Sequence, residues 1–315
     1  MILRGRFAPS PSGRMHLGNI YSALISYLSA RKSGGEWILR IEDLDRQRCK
    51  PEYSLQLLDD LIWLGLKWDN FSLASECGLA LEFFQSNRDS FYTKAFDFFC
   101  EQGLVYDCFC HRADLHVSSA PHVSDGTPIY SGKCRNLSEN ERNLLLKTRA
   151  PAKRIMVEDR NISFVDGHFG AQKCNLLCNV GDFVIRRADG NFSYQLAVVV
   201  DDALMGVTEV VRGRDLLSSV GAQLYLYETL SYTPPKFYHL PLLLSFDGRR
   251  LSKRDRDLSM EFLRNKFTKE ELIGKILFLS GCLEKEESLS IKEAVLAFDW
   301  KKIKKEDVLS MYLPR

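Results

Sequence analysis

The spacing of apolar and polar positions changes period several times along the 315-residue chain, and each change predicts an element. Ile2 to Phe7 has the make-up of a short strand. Pro9 and Pro11 end it, because proline has no N–H for a sheet ladder and steers the preceding residue away from helix. After Gly13 the period lengthens, and Leu17, Ile20, Tyr21, Leu24, Ile25 and Leu28 follow a helical pattern, so a Ser/Gly turn delivers the chain into a helix N-terminus. Gly34-Gly35 breaks the helix, and Glu36 to Ile41 has strand character before Glu42-Asp43-Leu44-Asp45. Strand, helix, strand at this spacing predicts a parallel unit. Ligands of open parallel sheets gather beyond the carboxyl ends of the strands, and Arg6 and Glu42 both lie near such ends.

Residues 51 to 65 begin with proline and end with glycine, which predicts a helix, with Trp63, Leu64 and Trp68 in the core. A second amphipathic helix is predicted over residues 79 to 101. Farther on, Phe183 to Asp202 reads as two β-rich runs around the Asp189-Gly190 turn, with Val198 to Val200 as a strand inside a covered parallel sheet. Val207 to Gly213 follows, then a helix from Leu216, and from Met260 the pattern is helical and charged.

Composition adds bounds but no function. A hydrophobic content of 45% supports a sizeable core, in one large domain with insertions or in two domains. No apolar run is long enough for a bilayer and the N-terminus enters strand-like sequence at once, so a soluble, cytoplasmic chain with no membrane partner is expected. A net charge of +2 requires any nucleic-acid surface to be local. Nine cysteines, an odd number spread over the whole chain, predict reduced thiols.

Three stretches carry candidate chemistry. Arg6 to Asn19 leads into a helix N-terminus, which attracts anions through its free N–H groups and dipole. Cys108 and Cys110, with the distant Cys134, supply three soft ligands, and a structural zinc would order the polar loop between them. By chemistry alone His111, His116 and His122 are the candidates for a fourth ligand. Cys174 and Cys178 lie in apolar sequence and are expected to be buried small residues. The basic run Arg249 to Asp255 follows a turn at Asp247-Gly248 and by itself reads as a solvated loop.

The string Arg-Phe-Ala-Pro-Ser-Pro-Ser-Gly-Arg-Met-His-Leu-Gly-Asn, residues 6 to 19, resembles the first signature of class I aminoacyl-tRNA synthetases in the form used by the glutamyl branch. His16-Leu17-Gly18-Asn19 stands in the place of the His-Ile-Gly-His element. Arg250-Leu251-Ser252-Lys253-Arg254 resembles the second signature, with Arg250 where the glutamyl form has lysine. The resemblance implies an α/β fold, a Rossmann-type doubly wound parallel sheet, with a zinc-containing insertion and a short helical C-terminal region. It implies a glutamate pocket of Arg6, Phe7, Ala8, Pro9, Ser10, Glu42, Tyr194 and Arg212. There Glu42 meets the α-ammonium, and Tyr194 and Arg212 meet the side-chain carboxylate. ATP, with Mg²⁺, falls to His16, Gly18, Asn19 and Lys253, of which His16 and Lys253 are the catalytic pair.

Cys-x-Cys followed by Tyr-x-x-x-Cys resembles the zinc module of the glutamyl-queuosine branch, which makes Tyr130 the fourth ligand beside Cys108, Cys110 and Cys134. The chain after Met260 also leaves no room for the large helical anticodon-binding region of full glutamyl-tRNA synthetases. The implied activity is ATP-dependent activation of L-glutamate, then transfer to the queuosine base in the anticodon loop of tRNA(Asp), by a monomer. The expected organisation is residues 1–105 and 181–258 as two halves of the catalytic core, 106–180 as the zinc-bearing insertion and 259–315 as the helical end. The competing expectations are a shortened enzyme that charges an acceptor end and a non-catalytic tRNA- or glutamate-binding relative.

Overall fold

The structure, a computed structural model, describes residues 2–72, 78–111, 129–245, 248 and 258–309. Its frame begins with strand β1 (Arg4–Phe7), helix α1 (Leu17–Lys32) and strand β2 (Glu36–Leu39), and β1 and β2 run parallel with Arg4 opposite Glu36 and Phe7 opposite Leu39. Next come α2 (Pro51–Trp63), α3 (Asp89–Glu101) and β3 (Val105–Cys108). Helix α4 (Glu139–Leu146), β4 (Ala152–Ile155), the antiparallel hairpin of β5 (Asn161–Asp166) and β6 (Gly170–Asn175), and β7 (Phe183–Arg186) follow. The chain then returns to the frame through α5 (Tyr194–Leu204), β8 (Glu209–Gly213), α6 (Val220–Thr229) and β9 (Lys236–Leu240).

The central sheet is parallel throughout, in the order β2-β1-β8-β9. Alternate residues of its strands point to opposite faces, so Trp37, Leu39 and Val211 enter one core with α1, α2 and the C-terminal helices. Ile38 and Val210 enter a second core with α3, α5 and α6. Burial on both faces fits the short apolar stretches Trp37-Ile38-Leu39 of β2 and Val210-Val211 of β8. A separate antiparallel sheet, β3-β4-β7, supports the cysteine-bearing segment.

The predicted starts of α1, β2 and α2 hold, and β1 lies within the predicted Ile2 to Phe7 but begins at Arg4, because each rests on a local signal. At α1 the signal is unusually complete: His16 is the N-cap, its Nδ1 accepts from the Gly18 N–H at 3.1 Å, and Asn19 Oδ1 accepts from the His16 N–H at 3.1 Å. A Cβ on Gly18 would stand 3.1 Å from the His16 ring, so glycine keeps the cap and its helix in contact.

Elsewhere tertiary packing overrides the pattern. The strand expected at Val198 to Val200 is helix, part of α5, capped where Ser193 Oγ accepts from the Leu196 N–H. Leu196 to Asp202 is buried all round, so α5 has no polar stripe, and a β-branched apolar run cannot be told from a buried strand by period alone. The helix predicted over 79–101 opens as two 3₁₀ turns, Leu81–Phe83 and Gln85–Asn87, before α3. The helix predicted from Leu216 begins as a 3₁₀ turn, Arg214–Ser219, ahead of α6. Cys174 is only half-buried and Cys178 is exposed, which corrects the expectation of two buried thiols. Helices Met260–Lys266, Lys269–Ser280 and Ile291–Ala297 join the core of α1, and the described chain closes with the short strand Val308–Leu309, parallel to Leu243–Leu244. Among the described residues no helix is long and apolar enough to cross a membrane.

Candidate active site

A cavity of about 480 Å³ opens at the carboxyl ends of β1 and β8, where the strand order turns from β1-β2 to β8-β9. It is lined by Arg6, Phe7, Ala8, Pro9, Ser10, His16, Gly18, Asn19, Glu42, Tyr194 and Arg212. Every residue within the described chain that was expected to meet glutamate or ATP thus lines one cavity. Lys253 and Arg250, and the loop that carries them, lie outside the described residues.

Beneath Arg6 and Glu42 is a buried ionic network that the sequence did not announce. Arg40, fully buried, donates to Asp202 at 2.6 Å and to Glu42 at 3.1 Å, and its Nε lies 3.7 Å from Asp201. Arg6 Nε sits 3.3 Å from Asp202, and Arg88 donates to Asp201 at 2.6 Å. Three guanidiniums therefore balance three carboxylates, which is what makes their removal from water tolerable. The two carboxylates nearest the cavity respond in opposite directions. Burial raises Asp202 but Arg40 and Arg6 outweigh it, and its pKa ends below the ordinary range. Burial raises Glu42, and the same two arginines offset only part of it, so Glu42 remains above its ordinary value. Asp202 is thus a satisfied anchor, while Glu42 gains from one more cation.

The other side of the cavity is organised by Arg212 on β8. Its Nη1 donates to the Tyr194 hydroxyl at 3.3 Å, and its Nη2 to Gln223 Oε1 at 2.9 Å and to the Leu216 carbonyl at 3.3 Å. Its Nε donates to His239 Nε2 at 3.0 Å, and His239 Nδ1 in turn meets Asp166 Oδ2 at 2.6 Å. Tyr194 feels the charges of Arg212, Glu42, Arg6 and Asp202, which puts the two halves of the cavity within electrostatic reach of each other. At the helix α1 terminus, the hydrogen bond accepted by His16 Nδ1 leaves the neutral ring's proton on Nε2, a donor suited to a phosphate oxygen.

Arg40, Asp201, Asp202, His239, Asp166 and Gln223 were not singled out in the sequence. Arg40 had a signal, since it precedes Glu42 by two on an extended segment and so shares its face. His239 had one only once β8 and β9 were paired, with Arg212 opposite His239.

The cysteine site lies apart, on the β3-β4-β7 sheet. The sulfurs of Cys108, Cys110 and Cys134 all lie within 4.8 Å of one another, and Cys110 and Cys134 are 3.6 Å apart. The Tyr130 hydroxyl is 3.5 Å from Cys108 Sγ and 3.9 Å from Cys110 Sγ. A tetrahedron with zinc–sulfur bonds of about 2.3 Å sets its sulfurs roughly 3.8 Å apart, so this donor set fits zinc. Arg154 donates to Cys108 Sγ at 3.2 Å and stacks 3.8 Å over the Tyr130 ring. Burial raises the Cys108 thiol, but Arg154 and the neighbouring donors more than reverse this and favour the thiolate a metal needs. No histidine joins this cluster among the described residues; His116 and His122 lie outside them.

Residues 2–309 match the family model for class I tRNA synthetases (E and Q), catalytic domain. The chain is 44% identical over 312 residues to a glutamyl-Q tRNA(Asp) synthetase of Symbiobacterium thermophilum, covering 98% of this chain and 95% of that one. It is 40% identical over 302 residues to a glutamate–tRNA ligase of a Sulfurihydrogenibium species, covering 94% of this chain but 62% of that protein. A crystal structure of a glutamate tRNA ligase from Elizabethkingia meningosepticum in complex with its amino acid superposes with a TM-score of 0.80 at 28% identity, over 98% of this chain and 67% of the other. With the parallel sheet, the first signature and the cavity at its switch point, these likenesses show that the chain belongs to the class I tRNA synthetases (E and Q), and within them to the glutamyl-Q tRNA(Asp) synthetases, which are ligase-type enzymes.

Proposed function

We propose that the chain activates L-glutamate with ATP and transfers it to the queuosine base in the anticodon loop of tRNA(Asp), without charging an acceptor end. The observation that supports its glutamate half is the cavity's pairing of a carboxylate held above its ordinary pKa, Glu42, with the Arg212 guanidinium and Tyr194 hydroxyl, and the likeness to a glutamyl-Q tRNA(Asp) synthetase supports the choice of acceptor. Glu42 takes the α-ammonium and is drawn back towards its ionised state by it. Arg212, with Tyr194, takes the side-chain carboxylate, and Arg6 adds positive charge. Phe7, Ala8, Pro9 and Ser10 supply the wall between them.

The α-carboxylate oxygen then attacks the α-phosphorus in line, and pyrophosphate leaves. No protein nucleophile is required; position and positive charge supply the rate. His16 Nε2–H, the N-terminus of α1 and Lys253 stabilise charge on the phosphates, Gly18 and Asn19 complete the nucleotide wall, and Mg²⁺ enters with ATP. In the second step a hydroxyl of the queuosine ring attacks the acyl carbon of the adenylate, loses its proton and expels AMP, leaving an ester. Cys108, Cys110, Tyr130 and Cys134 would hold one zinc, whose role is structural. Residues 1–105 and 181–258 form the two halves of the catalytic core, 106–180 the insertion and 259–315 the helical end. The enzyme works as a cytoplasmic monomer.

The test is glutamate-dependent exchange of labelled pyrophosphate into ATP, with and without tRNA, followed by transfer of labelled glutamate to queuosine-containing tRNA(Asp). Exchange without tRNA and a label in the anticodon loop support the reading. Exchange only with tRNA and a label on the acceptor end would establish a charging ligase instead. No exchange under either condition would leave a binding protein.

A further inference from the structure

We propose that His239 and Asp166 are positioning residues that set the orientation of Arg212 and thereby the preference of the pocket for a carboxylate over a carboxamide. The inference rests on the glutamate reading above and adds two residues that touch no substrate.

Its basis is geometric. Arg212 and His239 are register partners on the adjacent parallel strands β8 and β9, so their side chains leave the sheet together. His239 is fully buried and Asp166 is 1% exposed. Both ring nitrogens of His239 are engaged: Nε2 lies 3.0 Å from Arg212 Nε, and Nδ1 lies 2.6 Å from Asp166 Oδ2. Because Arg212 Nε can only donate, His239 Nε2 must accept, and the ring's single proton must sit on Nδ1, facing Asp166. Asp166 is itself fixed, since its Oδ1 accepts from the backbone N–H groups of His168 at 3.0 Å and Phe169 at 2.8 Å at the tip of the β5–β6 hairpin.

The consequence concerns the guanidinium. With Nε held by His239 and Nη2 by Gln223 and the Leu216 carbonyl, the planar group has no freedom to rotate. Its Nη1 edge, on Tyr194, is the edge left to meet a ligand in the cavity. A carboxylate can accept from the remaining Nη1–H with one oxygen and from the Tyr194 O–H with the other, whereas a carboxamide offers a single acceptor oxygen and sets its NH₂ against the second donor. Preference for glutamate over glutamine therefore depends on how firmly the edge is held. Burial and the adjacent Arg212 lower the His239 pKa to about 4 against the pull of Asp166, which keeps the ring neutral near pH 7.

Asp166→Asn is the informative variant. It keeps the size and leaves Oδ1 to cap the hairpin, but an NH₂ in place of Oδ2 faces the Nδ1 proton. The ring is then driven to the other tautomer, whose Nε2–H points at the Arg212 Nε–H. In the pyrophosphate exchange assay, Asp166→Asn and His239→Ala are expected to lower glutamate kcat/KM on the order of 10²-fold. The KM for ATP should hold within about twofold, and the ratio of glutamate to glutamine use should shrink by a comparable factor. His239→Gln, whose carbonyl oxygen can replace Nε2 as the acceptor for Arg212, should recover most of both losses. Equal falls for glutamate and glutamine, or a change only in thermal midpoint, would overturn the positioning role. So would variants that behave as the parent does. If the parent protein itself shows no glutamate-dependent exchange, the glutamate reading fails instead, and the two failures are distinct.

Discussion

Arg40→Met tests the logic of the buried network directly. The substitution keeps the apolar stem of the side chain, loses the guanidinium and so removes one charge from a balanced set: Arg6, Arg40 and Arg88 against Glu42, Asp201 and Asp202. Arg40 is fully buried, and Asp201 and Asp202 are at most 2% exposed, so water cannot compensate for the loss. An uncompensated buried charge costs about 3–5 kcal/mol, a large share of the 5–15 kcal/mol that typically holds a domain together. The expected result in urea is an unchanged slope m and a midpoint lowered by that free energy divided by m. The pH dependence has a definite sign. Glu42 already sits above its ordinary pKa because of burial, and Arg40 is the first of the charges that hold it down. Without Arg40 the folded protein binds a proton at Glu42 more tightly than the unfolded chain does, so the variant's deficit is largest at alkaline pH and shrinks as pH falls. A deficit below about 1 kcal/mol, within the range of an exposed ion pair, would refute the claim that Arg40 is the hub of a desolvated network. So would a deficit that grows on acidification.

Three further outcomes are expected. Cys108→Ser should lower zinc content and thermal midpoint while moving glutamate affinity little; freshly prepared parent protein without one zinc per chain would dismiss the metal centre. Lys253→Ala should slow adenylate formation with glutamate binding nearly intact, because its proposed contact with ATP is made mainly in the transition state, and an equally active variant would remove Lys253 from the proposed site. His239, with a pKa lowered to about 4, makes the fold lose stability as pH drops from its unfolded value near 6.5, since the unfolded chain takes a proton the buried ring refuses. Unfolding titrations of His239→Gln should be flatter across that window, and an identical slope in parent and variant would contradict the burial argument.

The sequence alone determined whatever depends on neighbours within a few residues. Pro9 and Pro11 stop β1, His16 and Asn19 cap α1, and Pro51 opens α2. These features rest on backbone hydrogen bonds, proline geometry and helical period, all short in range. The residues that line the cavity were legible as well, through a resemblance that proposed them for glutamate and ATP. What only the tertiary structure decided is what those residues lean on. The Arg40–Asp202 bond joins positions 162 apart, and the Asp166–His239 bond positions 73 apart, so no window of sequence contains either pair. The same long-range burial turned Val198 to Val200 into helix: once every side of α5 is covered by other elements, the polar stripe that would mark a helix is not needed, and its two acidic residues, Asp201 and Asp202, serve the buried network instead of solvent.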